Sequence, residues 1–253
     1  PLIQWTPELL LYSQVNTEVT SLEQQNDYFI VAAEDEQWKA KHVVITSGGF
    51  ARNIHLVEEN LPQITEFNWH TEAWPGMTGT SVDLLSDLDI SLPNLSNLGL
   101  YAHSVTDVIL GQPEVMIIPA LQRSVIVTKE GTREFNEQLT QSLQSGQIFL
   151  EKGPLFAIFD TPLWQGTTFQ GMGYNYENVT SVTSEYFQEN SNLINFETLD
   201  QLANHFSFPI EQFVNTISMY NQGIENGQDL FGKDVHILSP IQTPPFYALP
   251  ITI

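Results

Sequence analysis

Lys41-His42-Val43-Val44-Ile45-Thr46-Ser47-Gly48-Gly49-Phe50 is the stretch on which the fold turns. Val43-Val44-Ile45 is a continuous apolar run and does not alternate with polar residues. It predicts a strand buried on both faces, as in a parallel sheet covered by other layers. The run stops at Ser47-Gly48-Gly49. Two glycines directly after a buried strand let the backbone turn sharply and come close to another group with no Cβ in the way. Upstream, Leu9-Leu10-Leu11-Tyr12, Glu18-Val19-Thr20-Ser21-Leu22 and Tyr28-Phe29-Ile30-Val31-Ala32-Ala33 are short runs bounded by polar or turn residues, and each predicts a strand.

Downstream, residues 51 to 77 carry Pro62, Pro75 and Gly76 among polar residues and tryptophans, and read as irregular. A short helix is expected from Ser81 to Leu88, with Val82, Leu84, Leu85 and Leu88 on its apolar side and Thr80 or Ser81 as N-cap. Its start, Met77-Thr78-Gly79-Thr80, leaves helix N–H groups able to meet an anion or polar ligand. Beyond Leu98 the pattern is mixed. Val115-Met116-Ile117-Ile118 and Val125-Ile126-Val127 are apolar stretches, Phe135 to Leu143 reads as a helix, and Phe156-Ala157-Ile158-Phe159 as a strand. Residues 165 to 184, rich in Gly, Thr, Asn and Tyr, read as a surface excursion. Thr198-Leu199-Asp200-Gln201 has capping-box spacing and opens a helix expected to bury Leu199, Leu202, Ala203 and Phe206. A second helix, from Pro209 to near Gly227, places Ile210, Phe213, Val214, Ile217 and Tyr220 on one stripe. Three prolines between Thr243 and Pro250 require an extended tail.

The chain of 253 residues is long enough for one large domain or two ordinary ones, and 42% hydrophobic residues exclude a solvating, disordered chain. Eight basic residues stand against thirty acidic ones, a net charge of −22. So few bases form no stripe that could neutralise phosphates, which disfavours nucleic acid and anionic membrane surfaces as partners. No run of about 18 apolar residues is present to span a bilayer. The absence of cysteine excludes disulfides, thiolate metal sites and a Cys nucleophile within these residues. The first residues show neither an initiator Met nor a signal-peptide charge pattern, and suggest a processed or partial chain. Compartment stays open, and the sequons at Asn94 and Asn178 are short enough to arise by chance.

Neither Gly48-Gly49 nor Gly171-Met172-Gly173 completes a phosphate-binding fingerprint. The histidines at 42, 55, 70, 103, 205 and 236 contain no i, i+4 metal pair, so no metal site is expected. A Ser-His-Asp triad stays possible, although no Gly-x-Ser-x-Gly elbow is present.

The order of short motifs carries more. Lys41 to Asn53 resembles the Val-Val-Leu-Ala-Thr-Gly-Gly-Phe segment, with an Asn soon after, of FAD-dependent oxidoreductases in the fumarate reductase and succinate dehydrogenase flavoprotein superfamily. Thr78-Gly79-Thr80-Ser81-Val82 resembles that family's Thr-Gly-Asp-Gly helix start, and Tyr101-Ala102-His103 its Gln-Ala-His. Val127-Thr128-Lys129-Glu130-Gly131-Thr132-Arg133-Glu134-Phe135-Asn136-Glu137 is similar to its Val-Asn-Lys-Asp-Gly-Lys-Arg-Phe-x-Asn-Glu, and Ala157-Ile158-Phe159-Asp160 to the strand that follows. Thr198 to Ala203, Tyr220-Asn221, Gly227 to Gly232 and Pro244-Pro245-Phe246-Tyr247-Ala248 follow the family's closing stretch.

The resemblance implies a middle portion of such a protein: the later part of a Rossmann-like FAD-binding domain over 1 to 97, then an α+β clamp domain that caps the substrate over 98 to 253. The overall class is α/β and α+β. FAD is the implied cofactor and a small organic molecule the implied substrate, with the electron donor unassigned. By carry-over, Val19 would touch the adenine side of FAD. Ser47, Gly48 and Gly49 would line the cofactor, and Thr80 would stand where the family has an Asp near the flavin. His103 would orient the substrate. Plain structural roles stand beside these: Gly48 and Gly49 serve a turn in either reading, Val19 serves a core and His103 an ordinary hydrogen bond. The family's proton-donating arginine would align with Gln141 and a substrate-binding arginine with Ala120, which disfavours fumarate. Two other readings compete: a cap-like binding module without catalysis, and a carbohydrate-binding protein suggested by the aromatic, Asn-rich stretch 164 to 184.

Overall fold

The computed structural model describes residues 13–34, 36–67, 69–71, 73–86, 88, 90, 92, 95–96, 98–100, 104–105, 109, 114–116, 118–139, 152–171 and 181–252. The expected strand at Leu9 to Tyr12, the histidine at 103 and Gln141 fall outside these residues.

The fold mixes α and β structure, and every described ladder is antiparallel. Strands β1 (Ser21–Gln24), β2 (Phe29–Ala33) and β3 (Glu36–Ala40) form a three-stranded meander. Only Leu22 and Ala33 of these are buried. The expected strand at Val43 to Ile45 does not form. Val44 is 83% exposed, and no ladder among the described residues includes it. An apolar run becomes a buried strand only where neighbours supply hydrogen bonds and a covering layer, and the chain turns away at Ala40 without them. The stretch read as irregular instead holds helix α1 (Ile54–Asn60) and a 3-10 turn over Pro62–Glu66. Asn53 caps α1 by accepting from the Leu56 N–H, and Val57, Leu61 and Ile64 form a small core. Helix α2 (Thr80–Ser86) starts one residue earlier than expected and has no fully buried side chain.

The larger sheet runs in the order β6 (Val125–Thr128), β7 (Leu155–Phe159), β11 (Phe246–Thr252), β4 (Ser104–Val105), β5 (Glu114–Met116), β8 (Thr168–Gly171), β9 (Ser181–Thr183), with β10 (Asn195–Phe196) beside the start of β11. Its central strands are apolar at successive positions because both faces are covered. Leu155, Ala157 and Phe159 point into one cluster with Tyr247, Leu249 and Ile251, and Ile158 points into the other with Phe246 and Ala248. Helices α6 (Leu199–Phe206) and α7 (Ile210–Glu225) cover the second face through Leu202, Ala203, Phe213, Ile217 and Tyr220. Helices α3 (Ile118–Arg123), α4 (Thr161–Gln165) and α5 (Ser184–Asn190) cover the first through Leu121, Leu163, Trp164 and Phe187.

Several expectations change here. The apolar stretch at 115–118 divides, with Val115 and Met116 in β5 and Ile118 opening helix α3. The helix expected from Phe135 is a 3-10 turn over Glu137–Leu139 where it is described. The supposed surface excursion contributes β8 and β9, and Phe169 is fully buried. Trp164 is buried and stacked on Tyr247 at 4.7 Å, so it offers no platform to a sugar. On α7 the stripe is Phe213, Thr216, Ile217 and Tyr220, while Ile210 is exposed.

Candidate functional site

The first candidate site lies where two glycine turns meet. The Gly79 N–H donates to the Gly49 carbonyl at 3.2 Å, and the Ser81 hydroxyl donates to the Gly48 carbonyl at 3.3 Å. Arg52 N–H donates to the Met77 carbonyl, and Asn53 Nδ2 to the Thr78 carbonyl at 3.0 Å. Asn53 thus caps α1 with its oxygen and holds the start of α2 with its nitrogen. The Thr78 and Thr80 hydroxyls share a hydrogen bond of 3.1 Å at the mouth of α2. Gly48 (φ +89°) and Gly79 (φ +84°) both take left-handed backbone conformations. A Cβ at Gly79 would lie 2.6 Å from Leu56 Cδ1, so that glycine is required by packing. A Cβ at Gly48 or Gly49 would meet little or nothing, so their backbone is open to a flat group.

The structure therefore brings Ser47, Gly48, Gly49 and Thr80 together. Val19 is half-buried just ahead of β1, and none of the described hydrogen bonds joins it to this turn. Ala120 is buried in α3, its side chain turned away from solvent. Of the arginines after residue 98, Arg123 donates from Nε to the Pro119 carbonyl of its own helix at 3.2 Å. Arg133 is locked in the protein interior.

That interior arrangement was not singled out from sequence. Arg133 grips Glu137 in a bidentate pair at 2.7 Å for both bonds, and Asp229 through both carboxylate oxygens. Lys233, with a wholly buried side chain, donates from Nζ to Glu137 at 3.1 Å and to the Ser124 carbonyl at 2.8 Å. Glu137 also accepts from the Ile126 N–H at 3.0 Å, satisfying the edge of β6. The Phe231 and Lys233 N–H groups complete Asp229 at 2.9 and 3.1 Å. Burial alone would lower the Arg133 pKa, yet its bonds and attraction to Glu137 and Asp229 hold it above the ordinary value. Burial lowers the Lys233 ammonium despite the nearby Glu137 charge. Asp229 is held below the usual carboxylate range because the Arg133 bond and the Lys233 and Phe231 amides outweigh its burial. Burial, reinforced by Glu137, raises the Tyr220 phenol. The sequence held a signal for this network: opposite charges four apart at 133/137 and 229/233, in a chain with only eight bases.

No protein-family model matches the chain. It is 26% identical over 211 residues to an NADH:acrylate oxidoreductase of Vibrio harveyi, covering 82% of this chain and 20% of that protein. It is 23% identical over 250 residues to an NADH:fumarate oxidoreductase of Klebsiella pneumoniae, with 96% of this chain and 25% of that protein covered. Identity to a probable fumarate reductase, Ifc3, of Shewanella frigidimarina is 23% over 251 residues, covering 94% of this chain and 39% of that protein. The chain thus spans well under half the length of these curated relatives. Among solved structures, a 3-ketosteroid Δ1-dehydrogenase from Sterolibacterium denitrificans matches with TM-score 0.65 and 19% identity over 93% of this chain and 47% of that one. A 3-ketosteroid Δ4-(5α)-dehydrogenase from Rhodococcus jostii RHA1 gives 0.62 at 20% identity, covering 93% and 45%. A flavocytochrome c3 fumarate reductase in its open conformation gives 0.53 at 21%, covering 93% and 40%. At these identities the structures show the fold. The sequence relatives are acrylate and fumarate oxidoreductases, which agrees with the superfamily that the motifs resemble.

Proposed function

We propose that this chain forms part of an FAD-dependent oxidoreductase acting on a C–C bond of a small organic substrate. Residues 1–97 would be the later part of the FAD-binding domain and 98–253 the substrate-capping domain. The observation that carries this reading is the paired turn, where Ser47-Gly48-Gly49 is bonded to the Thr78-Gly79-Thr80 helix start with its backbone open. Those residues fit a dinucleotide cofactor: Gly48 and Gly49 would let its planar or sugar portion approach the backbone, and the Ser47 and Thr80 hydroxyls would bond it. Val19 would contact the adenine side and His103 the substrate. FAD, when bound, supplies the hydride chemistry, and the protein supplies orientation and exclusion of water. The larger sheet, closed on both faces, would serve as the rigid cap over the substrate.

We infer further that the substrate carries less charge than a dicarboxylate. Two carboxylates in a dry site call for bidentate cations. Of the arginines after residue 98, one is sealed against Glu137 and Asp229, and the other is half-buried and bonded to its own helix. The test is to purify the protein made from its whole coding sequence and measure bound FAD, then assay it with acrylate, fumarate and an uncharged enone under a reduced dye. Stoichiometric flavin with turnover of the uncharged or monocarboxylate substrate is expected. A colourless protein that binds no FAD would overturn the reading in favour of a non-catalytic cap-like module. Efficient fumarate reduction would overturn the substrate inference alone.

A further inference from the structure

Against the outer side of the buried ion network lies a cavity of ≈ 210 Å³, with Thr132, Arg133, Glu134 and Gln212 among its polar lining and Met219, Leu230 and Phe231 among its apolar lining. It lies beside the charged network and α7, away from the paired glycine turns. Arg133 uses four of its contacts on Glu137 and Asp229, so its charge is already compensated. Counted together, Arg133 and Lys233 face Glu134, Glu137 and Asp229, a surplus of one negative charge. That surplus belongs to Glu134. Its carboxylate is half-buried and enters no salt bridge among the described residues. A relay orients it: the Glu130 N–H donates to Thr128 Oγ1, Thr128 and Thr132 hydroxyls bond at 2.8 Å, and Thr132 Oγ1 donates to Glu134 Oε1 at 2.8 Å. The second carboxylate oxygen keeps its acceptor capacity, and the family motif that this stretch resembles has Phe here.

We propose that this cavity is a binding site for a small organic monocation, an ammonium group with a short apolar tail. The ammonium would meet Glu134, where a carboxylate shielded from water attracts a cation far more strongly than one in bulk solvent. The tail would lie along Met219, Leu230 and Phe231, of which Leu230 is 71% exposed and would be covered by the ligand. An anion is disfavoured because Glu134 is the one carboxylate in the lining and the Arg133 guanidinium beside it is already taken by Glu137 and Asp229, and the pocket's size excludes anything as large as a drug-sized ligand.

The experiment is calorimetric titration of the full chain with n-butylammonium, n-butanol and butyrate at one fixed ionic strength. Saturable one-to-one binding of n-butylammonium is expected, at least tenfold tighter than n-butanol, with no binding of butyrate. Glu134→Gln should weaken it tenfold or more, and Met219→Trp, which fills the cavity from α7, should abolish it. Glu59→Gln on α1 should leave it unchanged. Equal affinity for the alcohol, retention of binding by either cavity variant, non-saturable binding lost equally in Glu59→Gln, or no binding at all would each overturn the proposal.

Discussion

The two sheets start from similar strand signals and end in different states. The larger one is covered on both faces by two clusters that hold, among the described residues, fifteen and fourteen buried side chains, and a charged network ties its edge strand to the segment after α7. The three-stranded meander buries two residues, and the core beside it is three residues deep, Val57, Leu61 and Ile64. Val44, in the apolar run that follows β3, lies in solvent. An apolar sequence therefore reports the capacity to be buried, and the surrounding layers decide whether it is. The candidate cofactor turn sits on the thinly packed region, as sites that must accept a ligand often do.

The sharpest way to break this contrast is to attack the network. Glu137→Ala removes the partner of both Arg133 and Lys233 and strands the Ile126 N–H, so a loss of about 3–5 kcal/mol in urea unfolding is expected. A loss below about 1 kcal/mol would mean that the network is neutral to the fold. Its titration has two signs. Asp229 has a folded pKa below the ordinary one, so its contribution is present above that ordinary pKa and is lost as pH falls through the folded value. Tyr220 is raised, so its contribution is complete below the ordinary phenol pKa of about 10 and is lost as pH climbs above it. Thermal melting from pH 3 to 11 should fall at both ends. Tyr220→Phe should flatten the alkaline limb, and an unchanged limb would refute its assignment.

Next in size is a pair of core truncations. Phe169→Ala, under a ring stacked on Phe187 at 4.1 Å, should cost about 3–5 kcal/mol and lower hydrogen-exchange protection across β7 and β11 together. Ile64→Ala should cost about 2 kcal/mol at the low end for such changes and act on α1 alone, leaving β7 protected. If Ile64→Ala also weakens β7, the two regions unfold as one unit, and the contrast drawn above fails.

How much of this was legible follows the same line. The capping box at Thr198 was readable because it is local: Thr198 accepts from the Gln201 N–H, and Gln201 reaches back to the Glu197 N–H, one residue before the expected partner. Helix α7 and strand β7 were readable because the periodicity of the one and the apolar run of the other agree with their packing. Val43 to Ile45 misled because its fate depends on neighbours that a local pattern does not reveal. Residues 165–184 misled in the opposite sense, since polar composition hid the buried Phe169 on a strand that pairs with β5. At the candidate site, the motif order pointed to Gly48, Gly49 and Thr80, and the structure brings them together. The charged network joins residues 96 apart, a separation that no spacing rule covers.

The smallest expected effect comes from one of three glycines, which together separate a packing role from a ligand-facing one. Gly79→Ala combines a left-handed backbone with a Cβ 2.6 Å from Leu56 Cδ1 and 3.0 Å from Phe50 Cβ, so Leu56 must swing aside and α1 must shift. About 2–3 kcal/mol is expected, the sum of the backbone cost and a modest overpacking. Gly48→Ala carries only the backbone cost of about 1–2 kcal/mol, because its nearest neighbour would be Met77 Cγ at 3.9 Å. Gly49→Ala meets nothing within 4 Å and takes no left-handed conformation, so its stability should change by less than about 0.5 kcal/mol. In the protein expressed from its whole coding sequence, flavin retention should follow a different order. Gly49→Ala should lose FAD while its flavin-free form melts at the same temperature as the flavin-free parent, since the added methyl would project into the space assigned to the cofactor. Full flavin occupancy in Gly49→Ala would show that the open face of this turn is not where the cofactor lies.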